Sequence, residues 1–194
     1  MQVKAQGLLN AARYLEEQYG QEALGEIIRA CSPAVRDTYT SSIAINWHPV
    51  EELTELVEVA EKTLRVAPGS LAQDIGAAGA RANMKGTLLR IAFYWGKPEF
   101  LMKRAAGLWR QFNDEGSMTL LHMDHRLVRV EVSGITQPNG TFCGIINGWC
   151  RETAHALGIR NATSTHVECR ARGNAHCIYE VRGVIDEPHR KVKG

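Results

Sequence analysis

The sequence has no long apolar run and no excess of one charge. None of its segments holds eighteen consecutive apolar residues, so we predict no membrane span. Its 23 basic and 21 acidic residues are interspersed and leave a net charge of +2, without a basic block. We therefore predict no nucleic-acid partner, because proteins that bind nucleic acids carry a basic patch or stripe.

Motifs of catalysis are also lacking. The chain has no glycine-rich phosphate loop, no nucleophile elbow and no pair of carboxylates placed for acid–base work. These absences favour a non-catalytic protein over an enzyme. The first residues are not followed by the apolar run of a signal peptide, so we expect a cytoplasmic protein. In a reducing cytoplasm, the five cysteines are more often metal ligands or free thiols than disulfides.

Apolar residues make up 44% of the chain, and their spacing changes from helical to alternating near residue 116. We predict helices over 5–20, 21–31, 33–41, 49–66, 71–95 and 98–113. Strands are predicted over 117–123 and 126–133, a helix over 142–157, and strands over 159–169 and 175–182. This order predicts an α+β fold, with N-terminal helices packed on a four-stranded antiparallel sheet in the order helices-ββ-α-ββ. Residues 1–183 form a single predicted domain, and 184–194 form a polar tail.

Four of the five cysteines lie in the last quarter of the chain. Cys169 and Cys177 are separated by seven residues that include Gly173, which tolerates the left-handed backbone of a tight turn. Pairing the two legs of this hairpin would bring the thiols together. With Cys143 and His166 they make three sulfurs and one imidazole, enough for one tetrahedral zinc. Such a zinc would be structural, because four protein ligands leave no open position.

Other interpretations of this cluster stay open. Cys169 and Cys177 alone are equally well explained as core filler or a disulfide. His166 lies three residues before Cys169, so a regular strand would point the two to opposite faces. Either a bulge or the strand's end intervenes, or Glu168 or Cys150 replaces the histidine. Cys143 falls in the first turn of a predicted helix, where the helix dipole lowers the pKa of a thiol.

The spacing of Cys143, Cys169 and Cys177 resembles that of 4-vinyl reductase domains, and most closely the sensor domain of phenol-responsive XylR-type activators. The resemblance implies a structural zinc held by these three thiolates beside a small-molecule pocket. His166 stands where that family has a glutamate.

A longer part of the chain resembles an uncharacterised paralogous family abundant in myxobacteria. The stretches that carry this likeness are Ala12–Leu15, Trp47–Pro49, Leu108–Phe112 and the cysteine hairpin. That family is similar to 4-vinyl reductase domains and, more distantly, to haem–nitric-oxide-binding domains and a vesicle-tethering subunit. The haem relatives hold iron through a helix histidine, but this chain has no histidine between Ser70 and Leu121. It also lacks their Tyr-x-Ser-x-Arg run, so we expect no haem.

A ligand pocket is predicted beside the helix over 71–95, which is rich in glycine and alanine. The small side chains indicate either close packing against a neighbouring helix or a dimer mate, or a wall that leaves room for a ligand. The candidate ligand-binding residues are aromatic or imidazole side chains: Tyr94, Trp95, Trp109, His122 and Trp149. For His122 a satisfied core position is the more common role.

The favoured function is a cytoplasmic sensor that binds a small apolar or aromatic molecule between its helices and sheet. The zinc would fix the last hairpin against its helix, and a homodimer or partner protein would receive the signal. The alternative is an interaction scaffold, dimeric or hetero-complexed, without a ligand. An enzyme of tetrapyrrole metabolism is a third hypothesis.

Overall fold

The computed structural model describes residues 1–84, 107, 109–137 and 139–184. The N-terminal half contains β1 (Gln2–Lys4), α1 (Gln6–Ala30), α2 (Pro33–Ser41), β2 (Trp47–Pro49), α3 (Val50–Leu64) and α4 (Ser70–Met84). Residues 107 and 109–112 are helical. The C-terminal half contains β3 (Ser117–Met123), β4 (Leu127–Ser133), α5 (Gly140–Ala156), β5 (Arg160–Glu168), a 3-10 turn (Arg170–Arg172) and β6 (Cys177–Val184).

The first two predicted helices are one element with a break. Helix α1 runs through both segments, but Gly20 has a φ of 88°, a left-handed value that glycine adopts without steric cost. The predicted boundary at residue 20 is therefore a kink inside α1. The next helix begins as predicted, with Pro33 in its first turn and the Ser32 hydroxyl accepting a hydrogen bond from the Val35 amide.

Helices α4 and α5 pack with their backbones in contact. A Cβ atom added to Gly76 would lie 1.9 Å from the carbonyl oxygen of Ile145. One added to Gly148 would lie 1.8 Å from the carbonyl oxygen of Gln73. Gly76 of α4 and Gly148 of α5 therefore serve close packing between two helices of the same chain.

The four-stranded sheet is antiparallel, with strand order β3-β4-β6-β5. In β4, Val128, Val130 and Val132 are buried and alternate with the less buried Arg129 and Glu131. Helix α5 packs on β5 and β6. The predicted mixed fold with a four-stranded antiparallel sheet is confirmed, and the described elements follow the predicted order of two strands, a helix and two strands.

The two-stranded sheet β1–β2 was not predicted. A helix was predicted to begin at residue 49 and no strand before it, yet Trp47–Pro49 pairs antiparallel with Gln2–Lys4. The ammonium group of Lys4 lies 3.8 Å from the centre of the Trp47 ring. This sheet holds the start of α1 beside α3. The start of α1 is thereby positioned as one wall of the cavity described below.

No helix within the described residues is long and apolar enough to span a bilayer.

Candidate functional site

An apolar cavity of about 120 Å³ lies between the helices and the start of β3. Its apolar wall includes side chains of α3, α4 and α5, namely Leu53, Ile75, Phe142, Ile145, Ile146 and Trp149, together with Trp109, Phe112 and Met118. This volume is comparable to the ~150 Å³ apolar cavity that accepts a benzene molecule. The cavity therefore suits one small apolar ligand.

Two of the predicted ligand-binding residues line this cavity. Trp109 is buried, and its indole N–H donates to the carbonyl of Glu115 at 2.8 Å, so its ring faces the cavity as an apolar surface. Trp149 is packed against the core from α5. His122 lies outside the cavity, with half of its side chain exposed and its Nε2 atom 3.0 Å from Asp124. Tyr94 and Trp95 lie outside the described residues.

Sequence reasoning missed the polar wall of the cavity. Gln6 and Asn10 of α1 face it, four residues apart on one side of the helix, with Asn83 from α4 opposite. The Gln6 amide donates to the Asn83 carbonyl oxygen at 3.1 Å, and Asn113 donates to the carbonyl of Trp109 at 3.0 Å. The sequence did contain a signal for this polar wall. Gln6 and Asn10 are amide side chains at helical spacing within the otherwise apolar pattern of the first predicted helix.

The cysteine cluster forms beside the first turn of α5, which carries Cys143. One potential ligand atom from each of Cys143, His166, Cys169 and Cys177 lies within 4.8 Å of the other three. The sulfur of Cys143 is 3.9 Å from that of Cys177 and 4.0 Å from that of Cys169. A tetrahedral ion with metal–sulfur bonds of about 2.3 Å places its sulfurs about 3.8 Å apart. The four predicted residues therefore meet with the spacing of a tetrahedral site.

The hairpin places His166 and Cys169 on the same side by a local irregularity. The register of β5 against β6 shifts between His166 and Glu168, and β5 ends there, so the regular alternation does not reach Cys169. Gly173 turns the chain with a φ of 89°. One backbone amide also points into the cluster: that of Arg170 donates to the sulfur of Cys177 at 3.4 Å.

Burial shifts the pKa of two members of this cluster, Cys143 and His166. Desolvation raises the pKa of the Cys143 thiol, and the neighbouring thiols of Cys177 and Cys169 raise it further. The predicted lowering by the helix dipole is therefore wrong, since burial outweighs it. Desolvation and the nearby Arg172 lower the pKa of His166 to about 4, so its imidazole is neutral at pH 7. A neutral imidazole is the form that binds metal ions.

The two substitute ligands lie elsewhere. Cys150 is buried two turns along α5, and desolvation raises the pKa of its thiol to about 12. The carboxylate of Glu168 lies 3.9 Å from the guanidinium of Arg129. Helix α5 itself begins differently from the prediction. It starts at Gly140 and not at residue 142, and Asn139 caps it by accepting a hydrogen bond from the Phe142 amide at 2.9 Å.

Comparison with known proteins identifies the fold from solved structures, whereas the sequence comparisons find no match. No protein-family model matches the chain, and no curated protein does. An H-NOX protein from S. oneidensis in the Fe(II) state superposes with a TM-score of 0.73 at 11% identity, covering 95% of this chain and 97% of that one. An H-NOX protein from K. algicida gives 0.69 at 10% identity, covering 94% and 97%. A structure described by haem redox potential and porphyrin distortion gives 0.66 at 7% identity, covering 92% and 99%. The chain therefore has the H-NOX fold.

These neighbours overturn the resemblance to 4-vinyl reductase domains and XylR-type sensors. The structures that share the fold over nearly the whole chain are H-NOX proteins, which the sequence placed as the more distant relatives. The zinc cofactor implied by that resemblance is wrong on the same ground. The neighbours are described with Fe(II), with Fe(II) and NO, or with Fe(II) and CO.

The described residues of this chain do not fit a haem. The protein side chains that usually hold haem iron are histidine, cysteinate and tyrosinate, with methionine pairing with histidine in cytochromes. Among the described residues that line the cavity, only Met118 belongs to this set. Pockets for drug-sized molecules measure roughly 300–1,000 Å³, so a cavity of about 120 Å³ is far too small for a porphyrin.

Proposed function

We propose that the protein is a sensing module that binds a small apolar molecule in the cavity between α1, α4 and α5. The observation that carries this proposal is the cavity itself, an apolar space inside a fold whose solved neighbours include an H-NOX protein in the Fe(II)NO ligation state. Its volume and its tryptophan and phenylalanine walls favour a molecule of one ring or fewer. Binding would be reported through α5, which lines the cavity with Ile145, Ile146 and Trp149 and carries Cys143 in its first turn.

A cavity-filling variant tests the proposal. Gly79 lines the cavity and has open space where a Cβ would stand, so Gly79→Leu occupies the cavity without a backbone clash. Gly25→Leu is the matched control, because this α1 glycine is absent from the lining. We expect toluene to shift amide NMR signals of the wild type and of Gly25→Leu, but not of Gly79→Leu. Shifts that persist in Gly79→Leu would place the toluene elsewhere.

Experiments on the same purified protein distinguish the sensor from an interaction scaffold and from a haem protein. Native mass spectrometry of the full chain reports any co-purified organic mass and the oligomeric state. An organic mass on the protein supports the sensor, and a dimer is expected as its reporting form. A dimer that carries no ligand and does not respond to toluene favours the interaction scaffold. Added haemin that gives a sharp Soret band with one-to-one stoichiometry would overturn the apolar ligand in favour of haem.

We also propose that Cys143, His166, Cys169 and Cys177 bind one metal ion. Support comes from the spacing of the sulfurs, the neutral imidazole and the backbone amide directed at Cys177. Because burial raises the pKa of the Cys143 thiol, binding of an ion to its thiolate would release a proton. The ion would join the first turn of α5 to the last hairpin, as a structural part of the module.

Elemental analysis of the purified protein identifies the ion, and cobalt(II) serves as the optical probe. We expect cobalt to give thiolate charge-transfer absorption in the wild type and in Cys150→Ala, whose thiol lies outside the cluster. The absorption is expected to be lost in Cys169→Ala and in Cys177→Ala. Equal absorption in all four proteins, or none in the wild type, would refute the site.

A further inference from the structure

A second, smaller cavity of about 20 Å³ lies between α5 and the sheet. Its lining comes from α5 and from the buried faces of the strands: Met118, Val128, Val130, Trp149, Cys150, Thr153, Ala154, Ile159 and Val181. Met118 and Trp149 also line the main cavity. These two side chains therefore stand between the two spaces. Met118 is unbranched and has three rotatable side-chain bonds, so it can change rotamer without moving the backbone.

Thr153 gives the smaller cavity an unmet hydrogen-bonding group. The residue is 5% exposed, and its hydroxyl oxygen has no hydrogen-bond partner. Helical threonines commonly bond a backbone carbonyl three or four residues earlier, and a buried polar group left unpaired is costly. A single water would find room here but few polar partners, because the lining is otherwise apolar apart from the Trp149 indole and the Cys150 thiol.

The polar groups of the main cavity are largely engaged already. The Gln6 and Asn83 side chains bond each other, and Asn113 bonds the carbonyl of Trp109. The hydroxyl of Thr153 differs from these because it is deeply buried and has no partner. A ligand that entered from the main cavity past Met118 would meet this hydroxyl at the end of an apolar path.

We infer that the ligand has an apolar body for the main cavity and one hydroxyl or carbonyl group that hydrogen-bonds the hydroxyl of Thr153 in the smaller one. This inference rests on the proposed function and names the chemical class of its ligand. Thr153 is then the residue that determines specificity, and Met118 with Trp149 forms the partition that the ligand displaces. A site that pairs a buried polar group discriminates against analogues lacking that group more strongly than an apolar wall does.

Two probes of the same ring size test this inference: toluene, which is apolar, and benzyl alcohol, which adds one hydroxyl. Their affinities are measured by calorimetry on the full chain for the wild type, Thr153→Val and Thr165→Val. Valine keeps the shape of threonine without its hydroxyl, and Thr165 is an exposed control on β5. We expect the affinity ratio of benzyl alcohol to toluene to fall by roughly three- to tenfold in Thr153→Val, with no change in Thr165→Val.

The outcomes separate this inference from the proposed function. Toluene bound by all three proteins, with a ratio unchanged by Thr153→Val, overturns the role of Thr153 and leaves the apolar cavity site standing. Binding of neither probe to the wild type overturns the proposed function, and this inference with it. Without ligand, we also expect Thr153→Val to have a melting temperature at or above that of the wild type, because the variant loses an unpaired hydroxyl. A lower melting temperature would show that the hydroxyl is already satisfied, and would overturn the inference.

Discussion

The imidazole of His166 stacks on the phenol ring of Tyr179, with centroids 4.2 Å apart and planes 8° from parallel. The Nε2 atom of His166 and the hydroxyl oxygen of Tyr179 are both buried, and neither has a hydrogen-bond partner. Tyr179 is fully buried, and desolvation raises the pKa of its hydroxyl. The stack holds the imidazole at the edge of the thiol cluster, so Tyr179 positions His166 within that cluster.

Tyr179→Phe tests whether the hydroxyl or the ring matters for stability. Phenylalanine keeps the stacked ring and removes an unpaired buried hydroxyl, so the free energy of unfolding is expected to stay constant or rise by up to about 2 kcal/mol. Tyr179→Leu loses the stack and is expected to lower it by about 2–4 kcal/mol. Urea denaturation measures both. A loss above about 1 kcal/mol in Tyr179→Phe would show that the hydroxyl makes a stabilising bond, and the candidate partner is the thiol of Cys143, which raises the pKa of Tyr179.

Gly76→Ala is expected to disrupt the contact between α4 and α5. The new methyl carbon would stand 1.9 Å from the carbonyl oxygen of Ile145, a backbone atom that cannot move without shifting α5. Overpacking of this kind costs about 3 kcal/mol or more, so we expect a melting temperature at least several degrees lower. Gly79→Ala, one turn along α4 with open space at its Cβ, is expected to gain about 0.5–1 kcal/mol from helix propensity. Equal melting temperatures for the two variants would contradict the close contact.

Local patterns in the sequence predicted those elements whose contacts are local. The hairpin of β3 and β4 follows from alternation over 126–133 and a two-residue connection, and the meeting of Cys169 with Cys177 follows from one turn at Gly173. Sheet β1–β2 was missed because its pairing joins residues 2–4 to residues 47–49. Three-residue strands carry too little alternation to predict such a distant partner.

The same distinction between local and distant contacts explains which parts of the candidate site were predicted. The four residues of the thiol cluster were predicted together, because they lie within 35 residues and three of them flank one hairpin. The polar wall of the cavity joins α1 to α4 and to Asn113 across the fold, and no spacing rule connects those positions. The family resemblance failed because it relied on a few cysteines, whereas similarity at 7–11% identity resides in the backbone.

The carboxylate of Asp124 makes stability depend on pH at the turn between β3 and β4. The hydrogen bond from His122, and those from the amides of Arg126 and Leu127, hold the pKa of Asp124 well below its usual value. A depressed carboxyl pKa stabilises the folded state above the unfolded pKa of ~3.9, and this contribution is lost as the pH falls further. We expect wild type to exceed Asp124→Asn in melting temperature at pH 7, with the difference shrinking below about pH 4. A constant difference between pH 7 and pH 3 would contradict this account.

Met118→Ala is expected to join the two cavities. Met118 is 4% exposed and lines both spaces, so removing its side chain opens the smaller cavity into the main one. The free energy of unfolding should fall by about 2–5 kcal/mol, because the truncation leaves a cavity in a packed core. Met118→Leu nearly conserves the side-chain volume, keeps the partition and is expected to cost less than about 1.5 kcal/mol.

The enlarged space should also change which ligand binds best. We expect n-propylbenzene to raise the melting temperature of Met118→Ala more than toluene does, because the longer chain fills the space that the thioether occupied. Wild type and Met118→Leu should show the opposite preference. Met123→Ala, at the other end of β3 and outside the lining of both cavities, serves as the control for general destabilisation. If Met118→Ala and Met123→Ala prefer the same ligand, Met118 does not form the partition, and the path to Thr153 must lie elsewhere.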